Sequence, residues 1–510
     1  MSWKKTFGNS YNDILGRCIS TKDQGYLLYG CVKPDAATNQ NGFDWGIYKL
    51  DSCGKKQWEK RFSAGVGYNE LYAAVQTLDG GYLLAGTSVN NSGDFPVNYG
   101  GIDPWIFKLD AAGNVQWKKN VSGSVNADYY YSLLVLPDSS FLAGGVYNRK
   151  MDVSSPQNSS DFGRLTRMDK SGQVIWDKII DTMLIGTVWD IKLTAGNKIV
   201  AGGFTAIATG GMPTGRSNAK IAQFSMEGLL EWNKTISGTQ SAQLRSLLCD
   251  AQGCIYAIGN TDNINGEFAG NHGSNDILLY KYDRFGNKLW GKLLGGTKED
   301  LGWQAQFLGA GTLLIAGHSL SSDGDFSIYK GNNDAFVLKL DTAGNLLHNI
   351  NFGGSGHERG ISLSVNKDSS FVMAGYSGPG SLLTVNGIAD LFIAKFRHMP
   401  VTVVDSFICK PMRFQNIWID KDTTLSIAVA DGCGNTVART TYRFHYKEIM
   451  LTSLRDTSVD VGTILSLNTS SNATVSWAAN PFLSCTSCLS PTVKALSPQQ
   501  YIVSASNGYC

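Results

Sequence analysis

Proline is scarce in this chain, 12 in 510 residues, and histidine is scarcer at 6. Charge is low and balanced: 44 Lys and Arg against 42 Asp and Glu leave a formal net charge of +2. A nucleic-acid partner normally requires a basic face to meet phosphates, so that class is not expected. No apolar run approaches the roughly 20 residues of a membrane-spanning helix, and no span is expected. Ten cysteines are too few for a disulfide-built scaffold. A Ser-His-Asp signature, a phosphate loop and a zincin motif are also missing, which disfavours peptidase and nucleotide chemistry. What abounds is glycine, 58 residues, within a composition that is 43% hydrophobic and 11% aromatic. Such a chain can offset its conformational entropy, and it reads as a folded, all-β protein with room for two to four domains.

Tryptophan exposes a repeat. Trp3, Trp58, Trp117, Trp176, Trp232 and Trp290 lie 55 to 59 residues apart, and the next step falls on His348. Upstream stands an Asp-x-x-Gly run, as at Leu50-Asp51…Gly54 and Leu109-Asp110…Gly113. Asp three residues before Gly, between alternating apolar runs, predicts a hairpin turn in which Asp caps and Gly takes a positive φ. A second hairpin precedes it, as in Asp79-Gly80-Gly81-Tyr82-Leu83-Leu84. Two hairpins give four short strands per repeat, the pattern of a propeller. Seven three-strand sets begin near Tyr11, Tyr68, Tyr129, Thr187, Ala242, Leu301 and Arg359, and there are seven Trp-type strands. The first Trp-type strand precedes its set, and the last set lacks one. The expected fold is therefore a seven-bladed β-propeller of four-stranded blades. Residues 2–7 would complete the last blade and remove exposed edges.

These units resemble the Gly-rich propeller repeats of secreted Bacteroidota surface proteins. Asp103-Pro104-Trp105-Ile106-Phe107-Lys108-Leu109-Asp110 and Gly295-Gly296-Thr297-Lys298-Glu299-Asp300 are close to two segments of that pattern. The likeness covers about residues 2–397. After Phe396 the period stops. Asp405-Ser406-Phe407-Ile408-Cys409 with Ala430-Asp431-Gly432-Cys433, and later Val475-Ser476-Trp477 with Tyr501-Ile502-Val503, look like Ig/PKD-like modules of the same proteins. The resemblance implies a propeller over 1–397, a short Ig-like or linker module over 398–446 and an Ig/PKD-like module over 447–510. Asp460 stands where that family usually has Cys, which removes the expected partner of Cys510. It also implies type IX secretion, contact with secretion and outer-membrane machinery, an extracellular or cell-surface location, and a chain excerpted from a longer protein.

Cys249 and Cys254 flank Asp250-Ala251-Gln252-Gly253, and a two-residue turn would set them opposite each other as a disulfide. Cys409–Cys433 and Cys485–Cys488 are the other expected pairs; zinc at Cys485 and Cys488 would need a second Cys or His pair at ligand spacing. Cys18, Cys31 and Cys53 read as lone thiols. The repeated Asp-x-x-Gly-x-x-x-Trp resembles the Trp-docking motif of pyrroloquinoline-quinone propellers, implying a Trp that locks neighbouring blades. The corner acids Asp13, Glu70, Asp128, Asp300 and Glu358 either ring a channel mouth or satisfy backbone N–H groups of their own corners. Asp323 and Asp325 are candidate Ca²⁺ ligands, with ordinary turn chemistry as the rival. His272, His318 and His357 fall on consecutive blades and raise a metal site, although Asn271-His272-Gly273 is typical of the repeat class. No other cofactor is expected.

A residue found in every repeat serves the repeat, so function is sought where the pattern breaks. On the face shared by the long loops the candidates are Tyr11, Tyr68, Tyr129, Trp189, Trp303, His357 and Arg359, with Tyr130, Arg149 and Arg216 as further departures. Aromatic faces beside a polar rim suit sugar rings, and core packing is the competing explanation. The expected function is non-enzymatic: a secreted surface protein whose propeller binds a glycan or a protein on an Ig-like stalk. One alternative is an extracellular carbohydrate-active enzyme with acid and base among Glu70, Asp300 and Glu358, their carboxyls about 5–9.5 Å apart. The other is a structural spacer without a ligand.

Overall fold

At the first Asp-x-x-Gly segment, Asp51 Oδ1 accepts the N–H groups of Cys53 and Lys55, and Gly54 takes φ +75°. The carboxylate satisfies donors that the turn leaves unpaired, and glycine alone holds that backbone without a Cβ penalty. The same turn recurs along the chain and generates antiparallel strands. The computed structural model describes every residue except 35–41, 64, 66, 122–125, 149–160, 182–184, 210–211, 328–329, 398–400, 432 and 454. Among the described residues the regular structure is strand, apart from one 3-10 turn at Gly266–Phe268. Two compact units emerge, Met1–Arg397 and His398–Cys510.

The described residues of the first unit form seven four-stranded sheets. Six are continuous in sequence; the first runs Ile14–Ser20, Tyr26–Val32, Asp44–Leu50, Lys56–Phe62 from its inner to its outer edge. The seventh combines Glu358–Val365, Phe371–Ser377 and Asp390–Phe396 with the opening strand Trp3–Phe7. That strand pairs antiparallel, Trp3 opposite Lys395 and Phe7 opposite Leu391. Each inner strand contacts the inner strand of the next sheet, and that of the seventh contacts that of the first.

Hydrogen bonds follow the same circuit. Ser132 Oγ accepts the Ile191 N–H, Asp190 Oδ2 that of Leu247, Ser246 Oγ that of Ala305, Gln304 Oε1 that of Leu363, and Ser362 Oγ that of Cys18, at 2.7–3.2 Å. In each case a side chain takes a donor that a sheet's inner edge cannot place in a ladder. The core lies between sheets, as where Trp45, Phe62, Trp105 and Phe107 pack together. At the outer side a methyl added to Gly54, Gly113, Gly172, Gly228, Gly286 or Gly344 would lie 2.8–3.3 Å from the indole of Trp3, Trp58, Trp117, Trp176, Trp232 or Trp290. Each repeat tryptophan therefore seats on the glycine turn of the following sheet.

In the second unit Thr436–Tyr446 pairs in parallel with Val401–Ile408 and antiparallel with Thr423–Ala430, around a small core of Ile408, Ile419 and Phe444. Short two-stranded pairs follow, with the buried Trp477 donating its indole N–H to the Cys488 carbonyl at 2.8 Å.

Three cysteine expectations are corrected. Cys409 bonds to Cys510 rather than to Cys433, and Cys433 is in a different disulfide. The parallel pairing places Cys409 at the Tyr446 end of the hairpin, whereas Cys433 sits in the turn at its other end. The C-terminus returns beside Cys409, with Phe407 and Tyr509 stacked at 4.0 Å. Cys249 and Cys254 are free thiols. Cys249 pairs with Ile255, which leaves Cys254 inside a longer turn, and the two side chains pack into cores on different sides of the sheet. Cys53 is disulfide-bonded, while Cys18 and Cys31 are buried thiols. Cys485 and Cys488 are bridged.

Candidate binding site

All seven inner strands lose register at one place, between Leu71 and Ala73, Tyr130 and Ser132, Val188 and Asp190, Leu244 and Ser246, Gly302 and Gln304, Gly360 and Ser362, and Ile14 and Arg17. A β-bulge frees one residue from the ladder and re-aims its side chain. The residues so released are Tyr72, Tyr131, Trp189, Arg245, Trp303 and Ile361, with Leu15 and Gly16 in the first sheet and Leu15 at φ +58°. The backbone feature repeats, but its occupant changes from sheet to sheet.

From the second sheet to the sixth these side chains touch in series. Tyr72 meets Tyr131 edge-on at 4.9 Å, and Tyr131 stacks on Trp189 at 4.5 Å. The Arg245 guanidinium lies 4.2 Å from the Trp189 ring centre and 5.0 Å from that of Trp303. Trp303 donates its indole N–H to His318 Nδ1 at 3.2 Å. Contact among five consecutive inner strands places this column on the ring axis. Tyr131 and Arg245 pack on Trp189, and Arg245 packs on Trp303, whose N–H edge His318 holds. The column thus combines ring edges, hydroxyls and guanidinium N–H groups, with the Trp189 indole packed between Tyr131 and Arg245.

Burial sets the electrostatics. It raises the Tyr72 and Tyr131 hydroxyls, lifts Tyr129 to about 12 and lowers His318 to about 3, the last aided by the Arg359 charge. Burial also pulls Arg245 down to about 10, with the Arg17 charge acting in the same direction. His318 is thus a neutral acceptor for Trp303.

Of the residues expected from sequence, Trp189 and Trp303 belong to this column, and Tyr129 stacks on Tyr131 at 5.5 Å. Arg359 donates to the Tyr376 hydroxyl at 3.2 Å. The other three stand apart in loops. Tyr11 accepts the Ile388 N–H through its carbonyl, Tyr68 is 52% exposed beside Phe43, and His357 is exposed with its carbonyl bound by Gly378. Tyr72, Tyr131 and Arg245 were not anticipated. They occupy the alignment column of Trp189 and Trp303, three residues past the blade corner, and that column is the signal that could have found them. Arg149 lies outside the described residues.

The corner column is Asp13, Asn69, Asp128, Asp300 and Glu358; Glu70 is one place out of it and accepts the Tyr72 hydroxyl instead. Asp13 accepts the Asn9 and Lys33 N–H groups, Asp128 that of Asn148, and Glu358 those of Gly354 and Leu382. Asp300 accepts from Gly296 N–H and the Ser319 and Ser321 hydroxyls. These acids hold their own loops. Asp323 accepts the Thr297 N–H and Asp325 that of Gly295, while His272 Nδ1 binds Asp276 at 2.8 Å. Among the described residues no three of His, Cys, Asp or Glu gather as metal ligands. A cavity of about 810 Å³ in the second unit has Arg455 and Asp456 as its charged lining.

No family model matches the chain, and no curated protein matches it. Among solved structures it is similar to the Pan2 WD40 domain of Neurospora crassa, at 10% identity over 74% of this chain and 89% of that one, TM-score 0.41. It is similar to the β-propeller domain of the Trilobed protease from Pyrococcus furiosus, at 12% identity over 75% and 97%, TM-score 0.42. It is also similar to NanB sialidase from Streptococcus pneumoniae, at 8% identity over 77% and 70%, TM-score 0.38. Likeness at this distance assigns no activity. Four-stranded sheets packed inner strand to inner strand in a circuit make the first unit a β-propeller.

Proposed function

We propose that this chain is a non-enzymatic surface protein whose closed seven-bladed propeller binds a glycan at its axial column, followed by Ig-like modules. The supporting observation is that column: a bulge common to the repeats presents Tyr72, Tyr131, Trp189, Arg245 and Trp303, residues no repeat requires. Closure draws on the Trp3–Phe7 pairing, the Ser362–Cys18 hydrogen bond and the seat of Trp3 on Gly54. The enzymatic alternative would have to recruit Asp300 and Glu358 from hydrogen bonds that hold loops. Disulfides suit an oxidising, extracellular setting reached by secretion. A glycan array run beside a hydrolase and lyase screen on the full chain is expected to give binding without turnover. Turnover of a bound glycan would establish the enzyme, capture of protein alone a protein receptor, and silence in both assays the spacer.

A further inference from the structure

Three guanidinium groups come from different sheets of the axial circuit: Arg245 in the fifth, Arg17 beside the first-sheet bulge, whose charge acts on Arg245, and Arg359 in the seventh, whose charge acts on the His318 that holds Trp303. Among the described residues none of the three has a carboxylate ion-pair partner. The Nε atoms of Arg17 and Arg245 are buried without an acceptor. Arg245 Nη2 donates to Gln243 Oε1 at 2.6 Å, and the indoles on either side fix the plane in which its remaining N–H groups point. A buried guanidinium N–H left without an acceptor is costly, and a planar oxyanion matches the guanidinium fork.

We propose, resting on the glycan-binding reading above, that this axial cluster recognises the carboxylate of an acidic sugar, held by Arg17, Arg245 and Arg359. The carboxylates bordering the column favour a monoanion. Glu70 and Asp161 act on Tyr131 alongside Arg245, and a phosphate dianion would meet more of their repulsion than a monoanion. Asp190 contributes little to that balance, because Lys192 pairs with it at 2.7 Å. The Tyr129 and Tyr131 hydroxyls supply partners for sugar hydroxyls, which an apolar carboxylate such as a fatty acid would leave unused, while Gln243 is engaged by Ser217 and Arg245.

The test is a binding panel on the full chain with polygalacturonate, alginate and hyaluronan oligosaccharides, each beside its carboxyl-reduced counterpart. Arg17→Gln and Arg359→Gln carry the residue test, because Arg245 is packed between two indoles and its replacement can unfold the sheet; circular dichroism verifies each variant's fold. At least one carboxylated probe is expected to bind, and carboxyl reduction or either substitution should weaken it about tenfold or more. Equal binding of carboxylated and reduced probes would overturn the proposal while the glycan-binding reading stands. Affinity untouched by both substitutions, or displacement of the probe by inorganic phosphate at equal concentration, would also overturn it. No binding of any carboxylated probe overturns it too, and silence across the wider glycan array removes the parent reading as well.

Discussion

Asp300 is fully buried, and at neutral pH it is ionised where burial resists ionisation. Desolvation raises its pKa to about 6, against the pull of Ser319, the Gly296 N–H and Ser321. The unfolded chain releases this proton near 3.8. Between those values the folded state holds more protons, so this group's contribution to stability declines as pH rises. The shift corresponds to about 3 kcal/mol. Asp300→Asn removes the decline: relative to the parent chain, the variant should gain about 3 kcal/mol between roughly pH 3.5 and 7 in urea unfolding. An unchanged difference across that range would mean the carboxyl is not desolvated. His318 works with the opposite sign. Its folded value of about 3 lies below the ordinary 6.5, so its contribution is present at neutral pH and is lost as pH falls through that interval. At this scale the sequence misplaced Glu70 by one residue, because the corner position of that repeat carries an amide and the nearest carboxylate stands next to it. The corner is held by Asn69, whose Oδ1 accepts the Ser88 hydroxyl at 2.6 Å.

Trp3, Trp58 and the other repeat tryptophans lock elements rather than bind ligands, and His348 shows the rule by exception. Each tryptophan seats on the glycine turn of the following sheet. The seventh sheet has no such turn, because its outer strand comes from the start of the chain. Among the described residues the sixth sheet therefore meets no glycine turn for a tryptophan to grip, and an exposed His348 stands in its place. Gly113→Ala should cost about 2–4 kcal/mol by urea unfolding, since φ is +83° and the added methyl would stand 3.0 Å from Trp58. Gly80→Ala, at φ +87° in open space, should cost only the backbone share of about 1 kcal/mol. Equal losses would show that the indole contact carries nothing. Hairpins were legible because Asp-x-x-Gly is local chemistry. Cystine pairing was not, because it depends on register: one residue of slippage moved Cys254 from a strand into a turn. Alkylation of the denatured, unreduced chain should label four thiols, Cys18, Cys31, Cys249 and Cys254, by mass spectrometry. Only two labels would restore a Cys249–Cys254 bridge.

For the whole molecule, a period written in tryptophan makes the number of repeats readable, and the orphan first strand and the incomplete last set announce how the circuit joins. The axial column was only half visible. Trp189 and Trp303 stood out as breaks in pattern, but Tyr131 sits in a run of three tyrosines, Tyr129-Tyr130-Tyr131, that points to no single face. The bulge decides which of them leaves the core: Tyr130 stays fully buried, and its neighbour turns to the axis. Seven-fold backbone regularity thus supplies a frame, and departures at one position supply the chemistry. The chain's twelve tryptophans allow both parts to be watched at once. Replacing them with 5-fluorotryptophan and assigning the ¹⁹F resonances by single Trp→Phe variants gives a reporter on each. On titration with the carboxylated glycan that binds best, Trp189 and Trp303 should shift while Trp58, Trp117, Trp176, Trp232 and Trp290 stay in place. Shifts confined to the repeat tryptophans, or to Trp418 and Trp477 of the second unit, would contradict an axial site.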